Sequence, residues 1–462
     1  MNLVAKIKRV AALGLALIVL GQNAGAVPDQ SENKKRNQGP GVIRDAEIEG
    51  LLRIYVGPIF RVAGINAHSA RVVVIGDPSI NAFVAGGQRI FINSGLITRA
   101  DTPNQVIGVL AHESGHIAGG HLAKMNTEIA AASTEAIIGA LFGVAAMVGG
   151  AVSGNAAAAQ AGQGVVLGAS TAAQRGFLVY QRSMEATADE SAIRYLEATH
   201  QSAKGMLDLF QVLANESIAS AHGADPYAYS HPMPFDRIRA LEATAKASAY
   251  YNAADPPALV LRHQLAKAKL IGFLEPQLAF QKYPSRDVSL PGRYARAIAY
   301  FRRGDMTNAL PLIDSLTASL PNDPYFWELK AQAYLENGHA DQGLSAIKKA
   351  RSILPNNGLL QILHAQVLLG SENAGHADEA IDLLKLALRT EEGEASIYRF
   401  LAQAYGLKNQ IAEANLATAE YAYATGDKQL AVEKATLAQK YLKKGSPEWL
   451  RASDILTFAA KK

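Results

Sequence analysis

Residues 102–121 read TPNQVIGVLAHESGHIAGGH, a run that joins a helix start, an apolar spine and a cluster of ligand-type side chains. Thr102 suits a helix N-cap, Pro103 the first helical position, and Gln105, three residues after the cap, can close a capping box. Val106, Val109 and Leu110 recur at helical spacing. On such a helix His112 and His116 share one face, four residues apart, and Glu113 stands beside them. Two imidazoles can hold one ion while the carboxylate holds a water against it, and zinc there would lower that water's pKa from about 15.7 to about 7. The competing reading is a chance grouping of two histidines and a glutamate on a surface helix. Gly119-Gly120 end the pattern, and His121 follows. It lies about 140° around a continuing helix from His116, so it reaches a shared ion only if the glycines break the helix first.

The chain of 462 residues has room for about two to four domains, and 49% hydrophobic with 19% charged residues marks a folded protein. It contains no cysteine, which excludes a disulfide framework, Cys-ligated zinc, a thiol nucleophile and a lipidated N-terminal cysteine. Any metal site must therefore use His, Asp and Glu. Residues 1–26 have a basic start (Lys6, Lys8, Arg9), an apolar run from Val10 to Leu20 and Ala24-Gly25-Ala26 in the form of a cleavage site, which predicts a secretory signal peptide. Its removal takes three basic residues and no acidic one, so the formal charge of +4 becomes +1. A nearly neutral mature chain has no electrostatic support for a nucleic-acid partner.

Residues 27–41 are polar with Pro and Gly and predict a flexible linker. A helix is expected from Ile43 to Val56, ended by Gly57-Pro58, then a strand at Arg71–Gly76. Asn81–Ala85 and Gln88–Asn93 read as two short strands turned by Gly86-Gly87, leading into the helix with His112. Between 130 and 170 the chain is rich in Ala and Gly, and 136–152 carries 17 uncharged, mostly apolar residues. Two readings stand for it: small-residue helices packed on the metal helix, or a flap that covers the cleft or makes a peripheral membrane contact.

Residues 175–198 predict a second long helix on which Glu185 and Asp189 face the same way. A site of two neutral histidines needs an anionic ligand, which Glu185 can supply, and Asp189 can accept the other ring N–H of a ligating histidine. A solvated acidic face, with Glu190 and Glu197 nearby, is the alternative. At 230–240, SHPMPFDRIRA, His231 sits between Ser230 and Pro232 before a helix starting near Pro234. Arg237 and Arg239 in its first turns oppose the helix dipole, which hints at an anionic partner.

His112-Glu113-x-x-His116, Glu185-Ala-Thr-Ala-Asp189 and Ser230-His231-Pro232 with Arg237-Ile238 resemble the three signature segments of the zinc endopeptidases that include the membrane protease HtpX and the CAAX prenyl proteases. Asn81-Ala82-Phe83 to Gly95-Leu96 resembles the segment just upstream in that family. The resemblance implies one Zn2+ per chain held by His112, His116 and Glu185, with Glu113 as base and proton shuttle and Asp189 orienting a ligand. It further implies that His231 occupies the open metal position from a loop and holds the enzyme latent. The competing account makes His231 a donor to the developing oxyanion or a loop anchor, with Arg237 stabilising charge nearby. The strand within Gln88–Asn93 would be the edge to which an extended substrate adds. Ser114 and Gly115 are smaller than the residue the family often carries there.

The C-terminal half is periodic. Ala297, Tyr300, Gly304 and Pro321 recur 34 residues later as Ala331, Tyr334, Gly338 and Pro355, a tetratricopeptide-like period. Ala365, Gly375, Ala380 and Ala387 fit a third unit with a short insertion, Ala402, Tyr405 and Ala414 a fourth, and Gly426-Asp427 with Ala431 and Ala438 a partial fifth. The expected fold class is α+β: a mainly helical zincin-type metalloprotease domain with a small β-sheet over 42–250, a helical connector over 251–289 and an all-α tetratricopeptide-repeat solenoid over 290–445. A C-terminal helix or tail covers 446–462.

Resemblance to secreted family members with repeats behind the protease implies a periplasmic endopeptidase of a Gram-negative bacterium that would act on misfolded or stalled envelope proteins. Its repeats would hold those clients or the outer-membrane assembly machinery. The alternative is a chaperone-like scaffold with a latent metal site.

Overall fold

Asp45 starts the first helix, its carboxylate accepting from the Ile48 N–H at 2.9 Å. This helix, α1 (Ala46–Val62), was expected to stop at Gly57-Pro58 and instead runs through the proline. A mid-helix proline removes a hydrogen bond and costs about 3 kcal/mol. Here Ile59 and Phe60, just beyond it, are fully buried, and their packing outweighs the break. The computed structural model describes residues 41–67, 69–123, 171–219, 231, 235–371, 373–391 and 393–459. The expected signal peptide, most of the linker and the 136–152 segment lie outside the described residues. Among those described, no helix is long and apolar enough to cross a membrane.

The strands β1 (Val42–Ile43), β2 (Arg71–Ile75), β3 (Ala82–Ala85) and β4 (Arg89–Asn93) form an open four-stranded sheet in the order β1-β2-β4-β3. β2 and β4 are parallel, and β3 turns back antiparallel onto β4 with Ala85 opposite Arg89. Gly86 and Gly87 make that turn at φ 58° and 92°, a region side chains avoid. The strand within Gln88–Asn93 is therefore not an edge, because β4 is bonded on both sides. The edge beside it is β3. A short helix the sequence did not suggest, α2 (Ser94–Arg99), leads into α3 (Pro103–Ala118), the helix that carries His112 and His116.

Gln105 Oε1 accepts from the N–H groups of Asp101 and Thr102 at 2.6 and 3.4 Å, fixing the start of α3. Two long helices, α4 (Thr171–Ala198) and α5 (Lys204–Ala219), pack on it. Two glycines seven residues apart permit this approach. A Cβ on Gly115 would stand 2.8 Å from the Ala188 carbonyl oxygen on α4, and one on Gly108 would stand 2.4 Å from Met206 Cβ on α5. The small residue at 115 thus has a packing cause. α6 (Phe235–Lys246) contacts both α4 and α5.

The described chain falls into two compact units whose boundary in sequence lies within α7 (Pro257–Leu274), at Leu270 and Ile271. The α7 residues of the first unit fix α1 and the start of α3. His263 Nδ1 lies 3.0 Å from the Tyr55 hydroxyl, and its Nε2 3.0 Å from the Ala100 carbonyl oxygen. Lys267 donates to the same carbonyl at 2.8 Å, and buried Lys269 reaches Asp45 at 2.7 Å. Asp255, just ahead of α7, accepts from the Asn104 N–H at 3.1 Å.

The second unit holds α8 (Pro276–Lys282) and a series of helix pairs: α9 (Leu290–Arg302) with α10 (Met306–Ser319), α11 (Pro324–Glu336) with α12 (Ala340–Ile353), and α13 (Gly358–Gly370) with α14 (Ala377–Ala387). After them come α15 (Ser396–Leu407), α16 (Ile411–Ala424), α17 (Lys428–Tyr441) and α18 (Pro447–Ala459). The period of 34 has local causes. Ser289, Asp323 and Asn357, 34 apart, each accept a backbone N–H at the start of a first helix. Ala297, Ala331 and Ala365 are buried where paired helices meet. Trp327 and Gln361, also 34 apart, donate to the carbonyls of Pro321 and Pro355. The insertion in the third unit contains a 3-10 turn at Ala374–His376, and α14 starts after it.

Candidate metal centre

α3 presents His112 and His116 one turn apart on the side facing α4, and α4 answers with Glu185 and Asp189 one turn apart. His231 enters from the segment ahead of α6. His112, His116, Glu185 and His231 each offer one atom of a set lying mutually within 4.8 Å. His112 Nε2 is 3.1 Å from His116 Nε2 and 3.3 Å from His231 Nδ1. Through one or other of its oxygens, Glu185 is 3.4 Å from His112 Nε2, 3.4 Å from His116 Nε2 and 3.1 Å from His231 Nδ1.

These spacings identify what the cluster can hold. Four donors about 2.0 to 2.1 Å from a tetrahedral ion stand about 3.3 Å from one another, and with Glu185 Oε2 as the fourth donor, four of the six pairs here are 3.1 to 3.4 Å apart. Hydrogen bonds alone do not explain such convergence, since two imidazole nitrogens facing each other share at most one proton. A divalent cation satisfies all the lone pairs at once. The donor set, three imidazoles and one carboxylate with no sulfur, suits zinc.

The side chains of this cluster are held from behind. Asp189 Oδ1 is 2.9 Å from His112 Nδ1, and the same carboxylate takes the Arg237 guanidinium, with Nη2 to Oδ1 at 2.9 Å and a second contact from Nε. Arg237 Nη2 also lies 3.1 Å from Glu185 Oε2. Phe210 of α5 stands edge-on to the His112 ring, and the Arg237 guanidinium lies over its face at 5.9 Å. The anion expected beside Arg237 is thus the Glu185 and Asp189 pair. Glu113 is 0% exposed, and neither of its carboxylate oxygens has a hydrogen bond among the described residues. His231 Nε2 stands 3.4 Å from its Oε1.

Charge follows this geometry. Burial opposes the charged form of His112, yet the carboxylates of Asp189 and Glu185 push its pKa up to about 10. Burial, with His112 and His231 beside it, pushes His116 down to about 3. Burial works against the Glu185 anion too, but His231, His112 and His116 hold it well below the carboxylate range. Arg237 and His112 hold Asp189 low against its own burial. Glu113 is shifted the other way, upward by burial.

His121 is not among the residues whose donor atoms converge, although the glycines do break the helix. Gly119 and Gly120 end the helix and return His121 to His116, but to Nδ1, at 2.9 Å, the nitrogen away from the cluster. The group is a buried HExxH cluster with a downstream glutamate, as in gluzincin-type zinc-protease active sites.

Residues 49–245 match the family described as peptidase family M48. A β-barrel assembly-enhancing protease of Yersinia pestis is 25% identical over 292 residues, which cover 60% of this chain and 57% of the relative. A protein of the same name from Escherichia coli K12 is 24% identical over 165 residues, covering 36% of this chain and 32% of the relative. The chain thus spans 57% of the length of one of these curated relatives and 32% of the other, and the likeness to them and to the M48 peptidases is distant and partial.

Proposed function

We propose that the chain is a zinc-dependent endopeptidase that His231 holds in a latent state. The observation that carries this reading is the convergence of His112 Nε2, His116 Nε2, a Glu185 oxygen and His231 Nδ1 at zinc-ligand spacing beside an unbonded, buried Glu113. A bound zinc would supply Lewis acidity and a lowered pKa for water. Glu113 then takes a proton from the attacking water and passes it to the leaving amine nitrogen. Its burial, which raises its pKa, suits it to both halves of that transfer. His112 and His116 orient the centre from α3, and Asp189 keeps the His112 ring in one tautomer. Arg237 balances the two α4 carboxylates and therefore acts on their placement. His231 takes the position that water needs, so it must leave before the reaction starts.

The name of the partly matching relatives and the repeat unit support envelope proteins as clients: misassembled outer-membrane proteins or their assembly machinery, held by the helix pairs from Leu290 onward, in the periplasm. A chaperone-like scaffold remains the second reading, because four protein donors at one centre leave no position for water. Glu113→Gln tests the main reading. It should keep zinc content and fold while hydrolysis of an unfolded protein stops, and hydrolysis at the parent rate would sink it. Deleting the repeats from 290 onward should leave zinc bound and abolish capture of envelope clients. Equal capture by the shortened chain would refute the role given to the repeats.

A further inference from the structure

We propose that His121 is a positioning residue that fixes the ring and tautomer of His116, an inference that rests on reading His116 as a metal ligand. His121 is 6% exposed, its ring stands edge-on to that of His116 with centroids 5.0 Å apart, and the two Nδ1 atoms are 2.9 Å apart.

The turn between them is shaped for this contact. Gly120 lies at φ 62°, the left-handed conformation that reverses the chain after α3. A Cβ on Gly119 would stand 2.4 Å from His121 Nε2, 2.7 Å from Cδ2 and 2.9 Å from Cε1. Any side chain at 119 would therefore displace the ring. One glycine directs the chain back, and the other makes room for the imidazole.

The direction of the hydrogen bond follows from the far side of His116. Its Nε2 faces His112 Nε2 and Glu185, so a metal there needs the Nε2 lone pair and the proton on Nδ1. That proton is donated to His121 Nδ1, which makes His121 the acceptor. The opposite assignment would place the His116 proton where the ion must sit. His112 has a carboxylate in the corresponding place, and a neutral acceptor behind His116 has an electrostatic reason. Glu113, Glu185 and Asp189 against Arg237 and a divalent ion already balance, and a fourth carboxylate would leave the buried centre with a net negative charge.

The test compares His121→Leu, which fills the space without accepting, with His121→Asn, whose Oδ1 can stand where Nδ1 stood. His116→Ala is the control. Zinc affinity of the full chain is measured by competition with a chromophoric chelator, and ligand geometry by the visible spectrum of the Co2+-loaded protein. His121→Leu should lose about 10- to 100-fold in zinc affinity and alter the Co2+ bands. His121→Asn should recover most of the affinity and the parent spectrum, and His116→Ala should lose tight binding. Parent affinity and spectrum in His121→Leu would overturn the proposal while leaving the metal centre intact. A fall in His121→Asn as large as in His121→Leu would also overturn it, since the acceptor would then be irrelevant. Parent affinity in His116→Ala would instead defeat the reading of the centre, and this inference with it.

Discussion

Asp189 Oδ1 lies 2.9 Å from His112 Nδ1 while the same carboxylate is engaged by Arg237, so the orientation of the His112 ring on α3 is set by a charge on α6 through a carboxylate on α4. Asp189→Asn should lower zinc affinity about 10- to 100-fold without unfolding the chain, as loss of such an orienting carboxylate does elsewhere. Chelator competition beside a thermal melt separates the two effects. Unchanged affinity would show that packing against Phe210 suffices to orient the His112 ring.

Removing the Glu185 carboxylate should be more damaging. Glu185→Ala leaves His112, His116 and His231 as three neutral donors and frees Arg237 of one partner. Zinc titration should show a larger loss than Asp189→Asn. A smaller loss would mean that another group supplies the anion.

Gly115→Ala should destabilise the protease unit by about 1 to 3 kcal/mol, because the added methyl meets the Ala188 backbone, which cannot yield without moving α4. Denaturant unfolding measures this. Since Glu185 and Asp189 ride on α4, zinc affinity should fall in the same variant.

Lys269 lies buried against Asp45 and Glu47, at 2.7 and 3.5 Å. Lys269→Met removes the buried ammonium from Asp45 and Glu47 at the start of α1 and should cost on the order of 3 kcal/mol. The loss should appear in urea unfolding followed through the protease unit. A midpoint equal to the parent's would show that α7 is dispensable to α1.

Glu336 in the last turn of α11 has its pKa raised to about 7, chiefly by burial, against the opposing effects of the 2.7 Å bond from Gln332 and of Arg302. A carboxyl raised in the folded state favours folding fully below its unfolded pKa near 4.5, and that contribution is lost as pH rises through about 7. The melting temperature of the repeat unit should therefore fall between pH 5 and pH 8. Glu336→Gln should flatten that fall, with the measurement made by circular dichroism at both pH values.

What was legible in the sequence was what local chemistry specifies. The caps at Thr102 and Gln105, the one-turn pairs His112 with His116 and Glu185 with Asp189, and the 34-residue spacing of Ala297 and Ala331 each state their structure within a few turns of chain. Pro58 was misread because a local breaker was outweighed by the burial of Ile59 and Phe60, which only the folded unit supplies. The sheet edge was misplaced because strand order depends on β2 pairing with β4 across a chain crossover, and no period encodes that. The contacts of His263 and Lys267 with Ala100 were invisible for the same reason, being 163 and 167 residues apart. His121 was readable in part: the glycines announced a break, but the direction of return follows from Gly120 adopting positive φ.

One centre, built on His112, His116 and Glu185, is proposed to hydrolyse peptides with Glu113 under restraint by His231. The measurement that tests it most directly is the rate at which an unfolded protein is cleaved by the parent, by His231→Ala and by the His231→Ala, Glu113→Gln double variant, at equal zinc content. Cleavage by His231→Ala should be faster than by the parent, self-cleavage included, and absent in the double variant. A rate that falls in His231→Ala, or cleavage that persists in the double variant, would contradict it.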